Sequence, residues 1–295
     1  MNTEDIVSEW EHNRNRHPLI GEKKSDSDIS RMWDDSAKNY DSVRYSNIIR
    51  EIIAKLDSEH LLSGSILDIG CGPGTFAIPF SRTARSVIAY DASVPMLERL
   101  KERCDSEHIT NVTTVIGDCR HIPRNIRCDL AFSSLCPPMN CPESILRMEE
   151  HGDVCAYISS ANIGTSIETE IWSALGKDYS YSGYNTEYPS RFLESIGRRT
   201  ELTFFTQMNK MDESEEDVLK RHLSLISKYR PMTDEIDDII RKIISNHSEN
   251  GRVRTSMEMR MGLLIWRTER HQEESSKTAR KTLFRRIPVE SVNIL

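Results

Sequence analysis

No run in these 295 residues approaches the about eighteen consecutive apolar residues that cross a bilayer, so a membrane span is not expected. The opening MNTEDIVSEWEHNRNRH lacks the basic start, apolar stretch and small-residue cleavage site of a secretory signal. Basic charge is not in excess: 39 Lys and Arg stand against 46 Asp and Glu, a net charge of −7, which disfavours a broad electrostatic footprint for nucleic acid. Paired CxxC units are absent, and the seven cysteines (71, 104, 119, 128, 136, 141 and 155) are odd in number, several within apolar runs. They read as reduced thiols in the core of a cytoplasmic protein. No metal site is expected, because Cys136 and Cys141 have no clustered partner. No internal repeat breaks the chain into units.

What is present is an ordinary globular composition, 37% hydrophobic and 29% charged, long enough for one large domain carrying inserted caps. Residues 1–29 and 271–295 read as tails, the first polar and partly helical, the second charged, with Lys277, Arg280, Lys281, Arg285 and Arg286. Between them, strand-length apolar runs alternate with helical patterns: SILDIG (65–70), SVIAYD (86–91), VTTVIGD (112–118), CDLAFSSL (128–135) and DVCAYISS (153–160). Such runs separated by helices predict a doubly wound α/β core with a mostly parallel sheet. Helices are expected over 75–84, 94–104 and 142–150.

Two later runs, ELTFFTQM (201–208) and MRMGLLIWR (259–267), fit an antiparallel pair at one sheet edge. The segment between them is expected to be helical, with Asp212 as its cap and Glu215 reaching back, an apolar stripe of Ile236, Ile239, Ile240, Ile243 and Ile244, and Pro231 dividing it in two. Residues 161–188, with Trp172 and Tyr179, Tyr181, Tyr184 and Tyr188, form a second insertion before a helix begun at Pro189. The insertions near 161–188 and 212–256 are read as caps that enclose a small acceptor over the sheet's ligand edge.

Chemistry concentrates in Leu67-Asp68-Ile69-Gly70-Cys71-Gly72-Pro73-Gly74, where a buried strand gives way to a helix. Glycines there allow a sharp turn and let a ligand approach the backbone closely. Asp91 ends the next strand, placed to accept hydrogen bonds from a ribose, and Asp118 ends the third in Gly117-Asp118-Cys119. Three successive strands thus finish in Gly or Asp at the edge where open α/β sheets bind ligands. A nicotinamide site is disfavoured, since Thr75 stands at the third-glycine position of GxGxxG.

With these motifs the chain resembles the class I S-adenosylmethionine-dependent methyltransferase superfamily, small-molecule type, over residues 31–267. LDIGCGPG is similar to that family's first motif, YDASVPML (90–97) to its second, GDC to its third, and GLLIWR to the antiparallel last strand of its seven-stranded sheet. The resemblance implies S-adenosylmethionine as cofactor, with Asp68, Gly70, Cys71 and Gly72 along the methionine part. It places Asp91 and Ala92 at the ribose, Met96, Asp118 and Cys119 about the adenine, and Ser134 beside the sulfonium. The segment MWDDSAKNYD (32–41) resembles a helical N-terminal lid whose Tyr40 closes over the cofactor.

Cys136-Pro137-Pro138-Met139 stands where amino-group methyltransferases of the family carry Asn or Asp, two prolines and an aromatic. The residue that grips a target amine is replaced, which argues against transfer to a nucleobase or glutamine amide by that route. The expected reaction is methyl transfer to a small molecule. A non-catalytic cofactor-binding protein with a regulatory or assembly role, and a methyltransferase acting on RNA or protein, are the alternatives. Because the sulfonium is already activated, a catalytic base is optional, and His121 and the tyrosines of 179–188 are the candidates without an assigned role.

Overall fold

The computed structural model of the chain describes residues 2–15, 33–34, 37, 46–176, 185–227 and 230–268. In chain order the helices are α1 (Thr3–Asn15), α2 (Ser46–Ser58), α3 (Ala77–Ser81), α4 (Val94–Ser106), α5 (Pro142–His151), α6 (Ser166–Ala174), α7 (Glu187–Ser195), α8 (Glu215–Ser227) and α9 (Asp234–Asn246). The strands are β1 (Ser65–Ile69), β2 (Ser86–Asp91), β3 (Val112–Ile116), β4 (Cys128–Ser134), β5 (Gly152–Gly164), β6 (Thr200–Ser214), β7 (Ser248–Glu249) and β8 (Arg252–Arg267). They form one sheet in the order β3-β2-β1-β4-β5-β8-β6, with β7 pairing only to the start of β8. From β3 to β5 every pairing is parallel, whereas β8 runs antiparallel to both β5 and β6. The seven main strands thus have the expected arrangement, and the two-residue β7 is an addition closed by Asn250 and Gly251, both at positive φ.

Alternation along the strands sends side chains to two apolar layers. On one face Ile66, Val87, Leu130, Phe132 and Ala156 pack against Ile48, Ile52 and Leu56 of α2, Ala77, Ile78 and Phe80 of α3 and Leu100 of α4. On the other, Leu67, Ile69, Ala131, Cys155 and Trp266 meet Ile145 and Met148 of α5, Phe192 and Leu193 of α7, and Ile6 and Trp10 of α1. This two-sided burial explains why the parallel strands read as nearly unbroken apolar runs.

Three local readings change. The opening segment is no tail over residues 3–15: α1 docks on α7, with Trp10 0% exposed and its ring stacked on Tyr188 at 6.4 Å between centroids. Asp212 caps no helix; it lies in β6, paired in register with Arg254 and bound to Arg252 at 2.6 Å, while Ser214 Oγ accepts the Asp217 amide at the start of α8. The helix expected at 75–84 is the shorter α3, Ala77–Ser81.

β5, β6 and β8 run well past the carboxyl edge of the parallel strands, to Gly164, to Ser214 and from Arg252. Helices α6, α8 and α9 sit at those ends around a separate apolar cluster of Ile167, Ile171, Trp172, Val218, Ile240 and Ile244. Thr165 opens α6 with a capping box to Glu168, and Thr233 caps α9. The isoleucine stripe is therefore the face that α9 turns to this cluster, and Pro231 lies between α8 and α9 as expected. Among the described residues no helix is long and apolar enough to cross a membrane. Residues 271–295 and the segment 177–184, with three of the four cap tyrosines, lie outside the described residues.

Candidate cofactor site

Strand order reverses between β1 and β4, and the loops leaving their carboxyl ends converge at that switch point, where open α/β sheets bind ligands. The loop after β1 is tied to β2: the Gly70 and Cys71 amides both donate to the Tyr90 carbonyl, at 2.8 and 3.2 Å. Gly70 has φ +72° and a Cβ built on it would stand 2.5 Å from Cys136 Sγ, so this glycine is required for packing as well as for conformation. Gly72 differs. Its φ is +52°, and among the described residues no atom beyond its chain neighbours lies within 4 Å of where its Cβ would be. Packing by those residues does not demand glycine there, and the bare backbone is what a ligand lying against the loop requires.

Two carboxyl groups flank the loop, Asp68 on the strand leading into it and Asp91 at the end of β2. Asp91 Oδ2 accepts the Gly72 amide and Oδ1 the Ser93 amide, each at 2.8 Å. Burial raises its pKa, partly offset by those amides. Asp68 on β1 is 2% exposed, and burial, reinforced by the charge of Asp91, pushes its carboxyl up to about 8 despite a hydrogen bond from the Ala77 amide. Among the described residues its Oδ2 has no hydrogen-bond partner, and neither has the buried Thr75 Oγ1. Orphaned buried polar atoms are costly and call for an explanation; a cationic or hydroxylated ligand supplies one.

The remaining predicted residues gather at the same edge. Ala92 is exposed, whereas Met96 is buried in the first turn of α4, its amide donating to the capping Ser93 Oγ. Cys119 is buried, and Ser134 is half-buried at the end of β4. Asp118 is bound by Arg120 through the guanidinium, at 2.6 Å from one nitrogen, and through the backbone amide at 2.8 Å; the guanidinium contact holds its carboxyl below the usual range. His121 is solvent-exposed, with its side chain 79% accessible and 3.8 Å from Asp118. Tyr40 lies outside the described residues. The described neighbours in its segment rest on α4: Ser93 Oγ donates to Asp34 at 2.6 Å, and Arg99 donates to the Ala37 carbonyl. No cluster of His, Cys, Asp or Glu suited to a metal occurs among the described residues.

Sequence reasoning missed the anchor of the Cys136–Met139 turn. Asn140 is fully buried: Oδ1 accepts from Trp10 Nε1 at 2.7 Å, Nδ2 donates to Tyr157 Oη at 2.7 Å, and its carbonyl accepts from Arg14 at 3.2 Å. The N-terminal helix thereby fixes a loop at the site 130 residues away in sequence. Ile6 and Trp10, four residues apart in a polar segment, were the available signal.

Strand order, glycine loop and strand-end carboxylates together form a ligand site at the switch point of a doubly wound sheet. Consistent with this, residues 66–150 match the family model described as a methyltransferase domain. Among curated proteins, the chain is 38% identical over 65 residues to the 23S rRNA (uracil(1939)-C(5))-methyltransferase RlmD of Francisella tularensis subsp. novicida, covering 22% of this chain and 14% of that one. It is 27% identical over 150 residues to the malonyl-[acyl-carrier protein] O-methyltransferase of Pseudescherichia vulneris, covering 48% and 56%. The chain thus spans from one seventh to just over half the length of these relatives. A solved structure of magnesium protoporphyrin IX methyltransferase from Synechocystis, with bound S-adenosylhomocysteine, aligns with TM-score 0.48 and 13% identity over 77% of this chain and 84% of that one.

Proposed function

We propose that the protein transfers the methyl group of S-adenosylmethionine to a small-molecule acceptor. The observation that carries the reading is the backbone face at Gly72, clear of side chains among the described residues and held by the Asp91 carboxylate, with an Asp68 carboxyl oxygen that has no partner among them on the strand leading into the loop. S-adenosylmethionine supplies an activated sulfonium methyl group. Asp68 has an acceptor oxygen for the cofactor's ammonium group and takes up its negative charge as that group binds. Asp91, with lone pairs left beyond its two amide bonds, suits the vicinal hydroxyls of a ribose. Ala92, Met96, Asp118 and Cys119 would flank the base, Ser134 the sulfonium, and Tyr40 would close the site.

The acceptor class rests on other features. The helical cap stands at the carboxyl edge, where it would enclose a small ligand, and the net charge of −7 gives no broad surface for RNA. Cys136 stands where an amide-gripping Asn or Asp would be needed, and its thiol is turned against Gly70. The relative aligned over 48% of this chain is named for O-methylation of an acyl-carrier protein's malonyl group, which agrees with a non-nucleic-acid acceptor. Seven free thiols suit the reducing cytoplasm.

The test is incubation with methyl-labelled S-adenosylmethionine and panels of small carboxylic acids, phenols, amines and thiols, following S-adenosylhomocysteine release. Turnover with one panel is expected. Tight cofactor binding with turnover only on RNA or protein, or on nothing, would overturn the acceptor assignment and favour the polymer or non-catalytic reading.

A further inference from the structure

One cation beyond the carboxyl edge of the parallel strands has no role in cofactor binding. Arg260 on β8 is half-buried, and its guanidinium lies over the ring of Phe204 on β6, 4.0 Å from the centroid. Among the described residues it forms no ion pair and no side-chain hydrogen bond, whereas Arg252 and Arg254 of the same strand both bind Asp212. A second unsatisfied group stands beside it. Gly262, two residues along β8 and on the same face, pairs with Phe204, and a Cβ built on it would stand 1.9 Å from Thr186 Oγ1 and 3.2 Å from the Phe204 ring. Thr186 is fully buried at the start of α7, its side chain does not cap that helix, and its Oγ1 has no hydrogen-bond partner among the described residues. A cation without a counter-ion and a buried hydroxyl without a partner thus flank one aromatic ring, and both call for a ligand.

Register places these groups relative to the reaction. Ser134, at the end of β4, is level with Ile158 on β5, and Ile158 with Leu263 on β8. Arg260 is therefore two strands across the sheet and three residues further out, about 14 Å from Ser134 by ordinary strand spacing and rise. An arginine side chain and a small molecule together span that distance.

We propose that Arg260, backed by Phe204 and assisted by Thr186, anchors an oxyanion of the methyl acceptor, a carboxylate or phosphate at the end of the molecule remote from the atom methylated. The proposal rests on the methyltransferase reading above and adds to it the charge of the acceptor. Stacking on Phe204 fixes the guanidinium plane and leaves its edge N–H groups to donate, and that planar fork matches the paired oxygens of a carboxylate or phosphate. The Thr186 hydroxyl supplies a further donor. A neutral acceptor would leave the guanidinium without a counter-charge.

The experiment saturates the full-length protein with S-adenosylhomocysteine and titrates into it, by calorimetry, small carboxylates and phosphate monoesters, each beside its neutral amide or alcohol. At least one anion is expected to bind about tenfold or more tighter than its neutral counterpart, and the two series show which oxyanion is preferred. Arg260→Gln should abolish that preference, Arg260→Lys should keep part of it, and Thr186→Val should weaken the same anion severalfold, with affinity for S-adenosylhomocysteine the same in all three. With methyl-labelled S-adenosylmethionine and that anion as acceptor, Arg260→Gln should raise KM about tenfold and change kcat less than about threefold. No anion preference in the wild type, a preference that survives in Arg260→Gln, or a fall in kcat with KM unchanged would overturn the proposal. An anion held through Arg260 but never methylated would show that the methyltransferase reading has failed while the anion site stands. If the wild type binds no S-adenosylhomocysteine, the cofactor reading has failed instead, and the same titrations without it still decide the anion site.

Discussion

Binding of S-adenosylmethionine should release a proton from Asp68. The carboxyl is buried on β1 beside Asp91, with its pKa pushed up to about 8 from 3.8. At pH 7 about nine in ten free molecules would carry the proton. An ammonium group at the unpartnered Oδ2 favours the carboxylate, so binding should expel close to one proton. Affinity should then rise about tenfold per pH unit between about pH 5.5 and 7.5 and flatten above 8. The same shift makes a stability statement with a fixed sign. The folded state holds a proton that the unfolded chain gives up above 3.8, so free-protein stability falls as pH rises from about 4 to 8, by on the order of 4 kcal/mol at pH 7. Asp68→Asn removes the slope and leaves the free protein at least as stable at pH 8. Calorimetry in buffers of different ionisation enthalpy counts the protons directly. Pairing at Asp68 is refuted if the count is zero for the wild type or the same in Asp68→Asn.

Substitutions at four positions separate binding from folding. Asp91→Ala should weaken S-adenosylhomocysteine binding by on the order of 2 kcal/mol or more, read by calorimetry, through loss of charged hydrogen bonds; an unchanged affinity contradicts the ribose assignment. Gly72→Ala places its Cβ in open space and should cost only the left-handed backbone penalty of about 1–2 kcal/mol in urea unfolding while reducing cofactor affinity tenfold or more, about 1.4 kcal/mol. Gly70→Ala, which drives a Cβ into Cys136 Sγ, should lose more stability than Gly72→Ala. Trp10→Ala empties a fully buried site and orphans Asn140 Oδ1, so urea unfolding should show a loss of about 4 kcal/mol, with a smaller loss in Trp10→Phe. A Trp10→Ala loss below about 1 kcal/mol would show that α1 is not an integral part of the fold.

The parts of this fold that could be read from sequence are those whose causes are local. Strands buried on both faces must be apolar throughout, hence SILDIG and CDLAFSSL; glycines at positive φ mark a turn, hence Gly70 and Gly72. Asp91 was legible because it ends a strand at a fixed distance from that loop. The misses depend on contacts distant in sequence. Trp10 looks like one aromatic in a polar tail until Asn140 and Tyr188 are brought to it. Asp212 carries a capping residue's chemistry, but the β6–β8 ladder and the arginines opposite hold it extended, a tertiary override of local preference.

The most direct test of the central claim is a calorimetric titration of the purified protein with S-adenosylmethionine, S-adenosylhomocysteine and NAD. Micromolar binding of both sulfur nucleosides without NAD is the predicted result, whereas binding of NAD alone, or of none of the three, would contradict the assignment of this site.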